Sequence, residues 1–195
     1  MKKIAVGVLA GGKSTRMGEN KALLQINGKR FLNQICGELG DFSQVIISAA
    51  RKGDYEDLGL DVVYDEHQDI GPIEGIYQVL SHAQEEYVFI CAADMPFITK
   101  NSIEVLCNKV DKNTDGVVFY DKNNKLYPLG AIYSKNVLPI IEEMIEKKYY
   151  KLSYLIEKSN FVKINIEKTD IPLKVLSNIN TLQEYDLFIN NESLF

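Results

Sequence analysis

The sequence predicts an α/β fold in which a mostly parallel sheet lies between two layers of helices, a three-layer α/β/α sandwich. Short apolar runs of strand length alternate along the chain with amphipathic segments of helical length. This alternation is typical of parallel strands joined by helical crossovers. The chain has 195 residues, of which 46% are hydrophobic. That is enough apolar material for the core of a single domain spanning residues 1–195.

The elements of the first half of the chain follow from hydrophobic periodicity and from the flanking residues. Continuous apolar runs predict buried strands, whereas spaced apolar residues predict helices. The predicted strands are Lys3–Leu9, Gln44–Ala50, Asp61–Tyr64 and Glu86–Ala93. The predicted helices are Phe31–Leu39, Ile73–Ala83 and Ser102–Val110.

The pattern changes after residue 114. Asp115–Tyr120 and Lys125–Tyr133 flank a polar stretch suited to a turn, so they predict two antiparallel strands added to the sheet. Pro139–Lys148 is predicted to be a helix, since proline is tolerated in a first helical turn. Thr181–Phe188 is predicted to be the last helix, because its first four residues have the spacing of a capping box.

The charge distribution restricts the class of partner. The net charge is −5 and there is no basic tail, which argues against nucleic acid or an anionic membrane as a main partner. The longest apolar runs are far shorter than the about 20 residues that cross a bilayer. An anionic substrate would need a local positive patch. One exists within eighteen residues, where Glu19 alone opposes Lys13, Arg16, Lys21, Lys29 and Arg30.

The cysteines and histidines indicate no nucleophilic or zinc chemistry. Cys36, Cys91 and Cys107 are odd in number and form no Cys-x-x-Cys pair, which disfavours a disulfide framework or a zinc site. We expect reduced, buried thiols and a cytoplasmic location. His67 and His82 are interpreted as surface residues.

The stretch LAGGKSTRMG, residues 9–18, follows the first predicted strand. Adjacent glycines let a strand turn sharply, and without a Cβ in the way a phosphate can approach the exposed main-chain N–H groups. Lys13, Arg16 and Lys21 add positive charge around that point. The stretch therefore predicts a phosphate-binding loop. The alternative is an ordinary strand-to-helix turn with solvated cations.

The same stretch also satisfies the spacing of a P-loop, from Gly7 to Gly12-Lys13-Ser14. The helix of a P-loop must begin at the lysine and serine, so that its N-terminus meets the phosphates. Here Gly18 and Asn20 would fall inside that helix, and glycine there costs about 1 kcal/mol relative to alanine. Gly7 also lies within the apolar run IAVGVLA. Both features disfavour a P-loop.

Two aspartates follow predicted strands. Asp94 ends the strand Glu86–Ala93, and Asp65 follows Asp61–Tyr64. In open α/β sheets ligands gather beyond the carboxyl ends of strands. A carboxylate there is well placed for Mg²⁺, because substrate phosphates and waters complete the octahedron of this ion. The alternatives are a helix cap for Asp94 and a turn residue for Asp65.

The loop resembles a known signature. Leu-Ala-Gly-Gly-x-Ser-x-Arg-Met-Gly, followed by Lys21, resembles that of small nucleotidyltransferases of the Rossmann-like, glycosyltransferase-A-like superfamily. Ala10-Gly11-Gly12 is most similar to the molybdenum cofactor guanylyltransferases (MobA-like nucleotidyltransferases). The resemblance extends to about residue 185 through an Asp-x-Pro motif at residues 94–96, Gly-Pro-x-x-Gly at 71–75, Pro-Leu-x-Ala at 128–131 and Asn-x-Asn-Thr at 178–181.

The resemblance implies residue roles. Catalytic roles are implied for Arg16, Lys21 and Asp94, with Mg²⁺ held by Asp94. Nucleotide contacts are implied for Leu9, Ala10, Gly11, Gly12, Lys13, Lys21, Ser48, Asp65 and Asp94, with Ser48 standing where the family has asparagine. Pterin contacts are implied for Gly71, Pro72, Gly75, Asn178 and Asn180.

The resemblance also implies a reaction. GTP would donate GMP to the terminal phosphate of molybdenum-bearing molybdopterin, giving the guanine dinucleotide form of the cofactor plus pyrophosphate. Apo-molybdoenzymes or their chaperones would receive the product. Three alternatives stay open: a cytidylyl or sugar-phosphate nucleotidyltransferase, a P-loop NTPase, and a non-catalytic carrier of the finished cofactor. A carrier would not need Asp94, so Asp94 together with the full loop favours an enzyme.

Overall fold

The computed structural model describes residues 3–11, 25–26, 29–30, 35, 37, 39, 42–53, 55–179 and 184. The strands within them are β1 (Ala5–Leu9), β2 (Gln25–Ile26), β3 (Lys29–Arg30), β4 (Val45–Ala49), β5 (Asp61–Tyr64), β6 (Tyr87–Ala92), β7 (Gly116–Tyr120), β8 (Leu126–Ser134) and β9 (Phe161–Asn165). The helices are α1 (Pro72–His82), α2 (Lys100–Cys107), α3 (Leu138–Glu146) and α4 (Leu152–Lys158). Residues 35, 37 and 39 are also helical.

One seven-stranded sheet organises the molecule, with the strand order β5-β4-β1-β6-β8-β7-β9. The first four strands in this order are parallel to one another, and β9 is parallel to β7. Among the described strands of this sheet, β8 alone runs antiparallel, against both β6 and β7. The strands β2 and β3 form a separate antiparallel pair. The predicted mostly parallel sheet is confirmed.

Helices cover both faces of the sheet. Successive residues of a strand point to opposite sides, so apolar side chains of each strand need helices to bury them on both faces. In β6, Phe89 and Cys91 pack on one face with Ile103 of α2, whereas Val88 and Ile90 pack on the other with residues of α1, α3 and α4. Each face thus has its own apolar cluster, and the strands are buried between them. This is the expected three-layer arrangement.

The helix starts follow from local chemistry. Gly71 precedes α1 with a φ of 82°, and Pro72 occupies its first turn. Proline is tolerated there because an N–H in the first turn has no partner within the helix. Thr99 caps α2, since its side chain accepts from the N–H of Ser102 while the Ser102 hydroxyl accepts from the N–H of Thr99. The capping box begins α2 at Lys100, two residues before the predicted start.

Most predicted elements of the described residues are confirmed within a few residues, including the antiparallel pair β7 and β8. The elements α4 and β9 and the short β2–β3 pair were not predicted from the sequence. The predicted last helix lies outside the described residues except for Glu184, which is helical. In the part of the chain that the structure describes, no helix is long and apolar enough to cross a membrane.

The cysteines and histidines whose side chains the structure describes lie where the sequence predicts them. Cys91 and Cys107 are buried, and burial, together with the charge of Glu104, raises the pKa of the Cys107 thiol to about 11. This thiol is therefore protonated at neutral pH. Cys36 lies outside the residues whose side chains are described. His67 and His82 are about half exposed.

Candidate active site

The carboxyl ends of β5, β4, β1 and β6 meet at one edge of the sheet, because these four strands are parallel. The chain passes from β1 to β4 and β5 on one side, and then returns through α1 to β6 on the other side. The strand order therefore reverses at β1. In open α/β sheets a ligand crevice forms at such a reversal, outside the carboxyl ends of the strands.

The glycine-containing segment leaves β1 at this reversal. Its start is held from both sides: the N–H of Ala10 donates to the Ser48 carbonyl oxygen at 2.8 Å, and the Leu9 carbonyl accepts from the N–H of Ala93 at 2.9 Å. Gly11 is exposed and follows directly. Leu9, Ala10 and Gly11 therefore lie where a phosphate loop is expected. Gly12, Lys13, Arg16 and Lys21 lie outside the described residues.

Asp65 lies against this segment. A Cβ on Gly11 would be 3.1 Å from Oδ2 of Asp65, so glycine allows the carboxylate to lie close to the main chain there. The N–H of Asp65 donates to the Ala49 carbonyl at 3.1 Å, and the Ser48 hydroxyl donates to Oδ1 of Asp65 at 3.3 Å. The structure thus brings together Gly11, Ser48 and Asp65, for which nucleotide contacts are predicted. The backbone of Asp65 also continues the hydrogen bonding between β5 and β4 beyond the end of β5, so Asp65 is not only a turn residue.

Burial raises the pKa of Asp65 above its ordinary value. The hydrogen bond from Ser48 opposes this change, and the charge of Glu74 adds to it. A half-buried carboxylate with a raised pKa next to a glycine-containing segment is a feature of functional sites.

Asp94 leaves the carboxyl end of β6 on the other side of β1. Thr99 caps α2, so Asp94 does not serve as that helix cap. The carbonyl oxygen of Asp94 accepts from the N–H of Ile179 at 2.8 Å, and its Oδ1 atom is buried. The C-terminal segment thus fixes the backbone of Asp94 at the carboxyl end of β6.

That same hydrogen bond brings a predicted pterin contact to the site. Asn178 precedes Ile179 and is exposed, so the link from Ile179 to Asp94 places Asn178 beside the end of β6. Asn180, its predicted companion, lies outside the described residues.

The Gly-Pro-x-x-Gly motif forms the start of α1. Gly71 and Pro72 are exposed, with nothing within 4 Å of the position that a Cβ on Gly71 would take. Gly75 is different: a Cβ there would lie 2.7 Å from the Ser48 hydroxyl and 2.9 Å from Cδ2 of Leu9. Gly75 thus has a packing role beneath the crevice, which the sequence analysis did not foresee.

Two further residues beside the site were missed. Between the pairs Val117–Ile132 and Phe119–Tyr127 the register of β7 and β8 shifts, and Gly130 in this bulge has a φ of 81°. A Cβ on Gly130 would lie 2.7 Å from Leu176 and 3.3 Å from Met95. A glycine inside a strand pattern is the signal that could have predicted the bulge. Glu74, described below, had no comparable signal.

The P-loop alternative fails on Gly7. This residue lies in the middle of β1, with its partners Ile46 and Ile90 in the adjacent strands. A Cβ on Gly7 would lie 2.5 Å from Cγ1 of Val79 in α1. Gly7 therefore lets a helix approach the sheet and does not open a phosphate loop.

Comparison with known proteins agrees with this geometry. Residues 6–161 match the family model of the MobA-like NTP transferase domain. The chain belongs to the MobA-like NTP transferase family. It is 34% identical, over the whole length of both chains, to a protein of Clostridium perfringens named probable molybdenum cofactor guanylyltransferase. A protein of Flavobacterium johnsoniae with the same name is 34% identical over 97% of this chain and 99% of its own.

A solved structure supports the family assignment. The molybdopterin-guanine dinucleotide biosynthesis protein A of Archaeoglobus fulgidus superposes with a TM-score of 0.79 and 25% identity, covering 94% of this chain and 95% of its own. The family match begins inside β1 and ends at the start of β9. It thus includes the glycine-containing segment and both aspartates of the crevice.

Proposed function

We propose that this MobA-like chain transfers GMP from GTP to the terminal phosphate of molybdopterin carrying molybdenum, with release of pyrophosphate. One observation carries the proposal: Leu9–Gly11, Asp65 and Asp94 lie together at the strand-order reversal around β1. Their arrangement offers a main-chain surface for phosphates with a carboxylate on each side. The names of the relatives identify guanylyl transfer to the molybdenum cofactor as the reaction to test.

The reaction demands alignment and charge neutralisation more than acid–base chemistry. A phosphate oxygen of the acceptor forms a bond to the α-phosphorus of GTP. The bond from that phosphorus to the β-phosphate bridging oxygen breaks, and its electron pair leaves with pyrophosphate. The attacking oxygen is already an anion at neutral pH, so no strong general base is needed.

The obstacle is repulsion between two polyanions. Two like unit charges 4 Å apart repel by about 1 kcal/mol even in bulk water, and by more where water is excluded. We assign neutralisation of the triphosphate to Arg16 and Lys21, and with less direct sequence support to Lys13. Arg16 can hold two phosphate oxygens at once through its guanidinium fork. With the reactants bound in this way, orientation and electrostatic stabilisation lower the activation barrier most.

The side chain of Asp94 fits Mg²⁺. Its carboxylate supplies the oxygen ligands that this ion prefers, at the edge where the nucleotide phosphates are expected, and Mg²⁺ needs only one or two protein carboxylates. When bound, the ion would neutralise charge on the phosphates and on the leaving pyrophosphate. The chain would support this role by fixing the backbone of Asp94, whose carbonyl oxygen accepts from the N–H of Ile179.

The acceptor is assigned to the opposite side of the crevice from Asp65. Asn178 lies beside the end of β6, and the family pattern assigns Asn180 to the same surface. Gly71, Pro72 and Gly75 are assigned to the pterin only as the resemblance implies. For Gly75 the packing against Ser48 and Leu9 indicates an indirect role. The product would pass to apo-molybdoenzymes or their chaperones.

The product of the reaction decides between the candidate functions. The purified chain is incubated with GTP and Mg²⁺, with and without molybdenum-loaded molybdopterin, and pyrophosphate and orthophosphate are measured separately. We expect pyrophosphate that requires the acceptor and appears in equal amount to the guanine dinucleotide product. Orthophosphate release without acceptor would indicate a hydrolase, and no release at all would indicate a carrier. A preference for CTP over GTP would assign the chain to cytidylyl transfer.

A further inference from the structure

Glu74 is a buried carboxylate in the first turn of α1, with only 1% of its surface exposed. Its Oε1 atom accepts from the N–H of Glu66 at 2.8 Å and from the side-chain amide of Gln78 at 2.9 Å. Its Oε2 atom lies 3.0 Å from Nδ1 of His67. Charged side chains are seldom fully buried unless such partners surround them.

These partners keep Glu74 ionised. Burial alone would raise its pKa, yet the hydrogen bonds from Gln78, Glu66 and His67 together hold the pKa below its ordinary value. The first turn of a helix also favours a negative charge through the helix dipole. Glu74 is therefore a charged acceptor at neutral pH, and hydrogen bonds to charged groups are about twice as strong as neutral ones.

Glu74 joins two segments that meet at the crevice. Glu66 and His67 directly follow Asp65, so the bonds to Glu74 fix the chain immediately after that aspartate. On the helix side, the next residue is Gly75, which packs against Ser48 and Leu9. The segment after β5 is thus hydrogen-bonded to α1, which packs against β1 and β4.

We propose that Glu74 is a positioning residue for nucleotide binding, which holds Asp65 in place against Gly11 through the Glu66–His67 segment. The proposal rests on the proposed function, because it assumes that Asp65 contacts the nucleotide. Glu74 itself touches no substrate, since its carboxylate is enclosed. Its loss would leave the Glu66 amide without its acceptor and would release the segment that carries Asp65.

Substitutions at Glu74 test the proposal through the dissociation constant of GTP, measured by calorimetry. We expect Glu74→Ala to weaken GTP binding about ten-fold, which is the effect of losing one charged hydrogen bond that holds the binding geometry. Glu74→Gln keeps an oxygen that can accept from the Glu66 amide, so it should recover most of the affinity. Turnover at saturating GTP should change much less than the KM for GTP.

A matched control separates positioning from stability. Val79→Ala removes buried volume from the same helix without touching the Glu66–His67 segment, so it should lower the melting temperature and leave GTP affinity unchanged. Equal losses of GTP affinity in Val79→Ala and Glu74→Ala would overturn the proposal, since both would then reflect a weakened helix. If Glu74→Ala does not fold, His67→Ala provides the test. It removes one partner of Glu74 from a half-exposed position, and should weaken GTP binding about two-fold.

A double-mutant cycle with Asp65 separates this proposal from the proposed function. If Glu74 acts through Asp65, then Asp65→Ala combined with Glu74→Ala should bind GTP no more weakly than Asp65→Ala alone. Additive losses would overturn the positioning role while leaving the nucleotide role of Asp65 intact. Unchanged GTP binding in Asp65→Ala would instead contradict the assumed contact of Asp65, and with it both proposals for this residue.

Discussion

At the scale of single residues, Asp65 directly follows β5 and Asp94 lies two residues beyond the end of β6, and their surroundings differ. Asp65 is paired with the Ser48 hydroxyl and lies within reach of the Glu74 charge. Asp94 is tied through its backbone to Ile179, and its Oδ1 atom is buried. Under the proposed function, Asp65 contacts the nucleotide and Asp94 holds the metal ion.

Asp94→Asn tests the metal assignment, because it removes the charge and preserves the shape. Loss of a comparable electrostatic stabiliser in other enzymes costs on the order of 10²–10³ in rate, and we expect at least this loss in turnover. GTP binding without metal should change little or tighten, since a negative charge near the triphosphate is gone. Steady-state kinetics and calorimetry with and without Mg²⁺ measure both effects. Normal turnover with an unchanged Mg²⁺ requirement would show that Asp94 is structural, with Asp65 the next candidate.

Asp65→Asn tests a different property, the effect of the Asp65 charge on the free energy of unfolding. Because its pKa is raised in the folded chain, ionised Asp65 disfavours folding at pH values above the folded pKa. This penalty disappears as the pH falls below the unfolded value. We expect Asp65→Asn to raise the melting temperature by about 1–3 °C at neutral pH and to have no such effect at low pH. The exposed Asp170→Asn is the control, and a gain that persists at low pH would contradict the mechanism.

At the scale of elements, two glycines at the contact between α1 and the sheet have separate roles. Gly7 of β1 makes room for Val79 and Ile90, whereas Gly75 of α1 makes room for Ser48 and Leu9. The first contact is in the body of the sheet. The second lies directly below the glycine-containing segment. The same helix therefore contributes to stability at one contact and to the site at the other.

Gly7→Ala should act through packing alone. The added methyl would meet Val79 at 2.5 Å and Ile90 at 2.7 Å, and overpacking of this kind costs about 1–3 kcal/mol of folding free energy. Denaturation should show that loss, while calorimetry on the folded variant should show unchanged GTP affinity. Combining it with Val79→Ala should restore part of the stability. Loss of nucleotide binding in well-folded Gly7→Ala protein would revive the P-loop interpretation.

The elements that the sequence predicted are those whose apolar residues repeat clearly. The fully buried runs of β1 and β6 could belong only to a covered sheet. By contrast, β9 is half-buried at the sheet edge, and its partner β7 lies far away in sequence. Residues 162–167, VKINIE, do alternate between apolar and polar, which could have predicted the strand, but nothing local predicts its pairing with β7. The short helix α4 has seven residues, too few to establish a period.

The candidate site divides in the same way. The meeting of Asp65, Asp94 and the glycine segment follows from the rule that parallel strands end at one edge, so sequence was sufficient to predict it. The buried contacts of Glu74 were not predictable, because its partners include a loop amide and an exposed histidine. Such contacts depend on how a loop returns to a helix, which hydrophobic periodicity does not encode.

At the scale of the whole molecule, the proposed function requires the chain to bind a polyanion although its own net charge is −5. The favourable charge is therefore local, in the cations that follow β1. Screening limits such interactions to about 8 Å at physiological ionic strength. A lysine elsewhere on the surface contributes to the net charge but should contribute little to the affinity for nucleotide.

Lys21→Ala and Lys168→Ala test this locality, because both remove one positive charge. Lys21 lies outside the described residues, and its role is predicted from the loop pattern. Lys168 follows β9, which is four strands from β1 in the sheet, or about 19 Å at the usual strand spacing. We expect Lys21→Ala to weaken GTP binding by about ten-fold or more and to reduce its dependence on salt, whereas Lys168→Ala should change neither. Equal GTP affinities of the two variants by calorimetry, at low and at high ionic strength, would show that Lys21 does not contact the triphosphate.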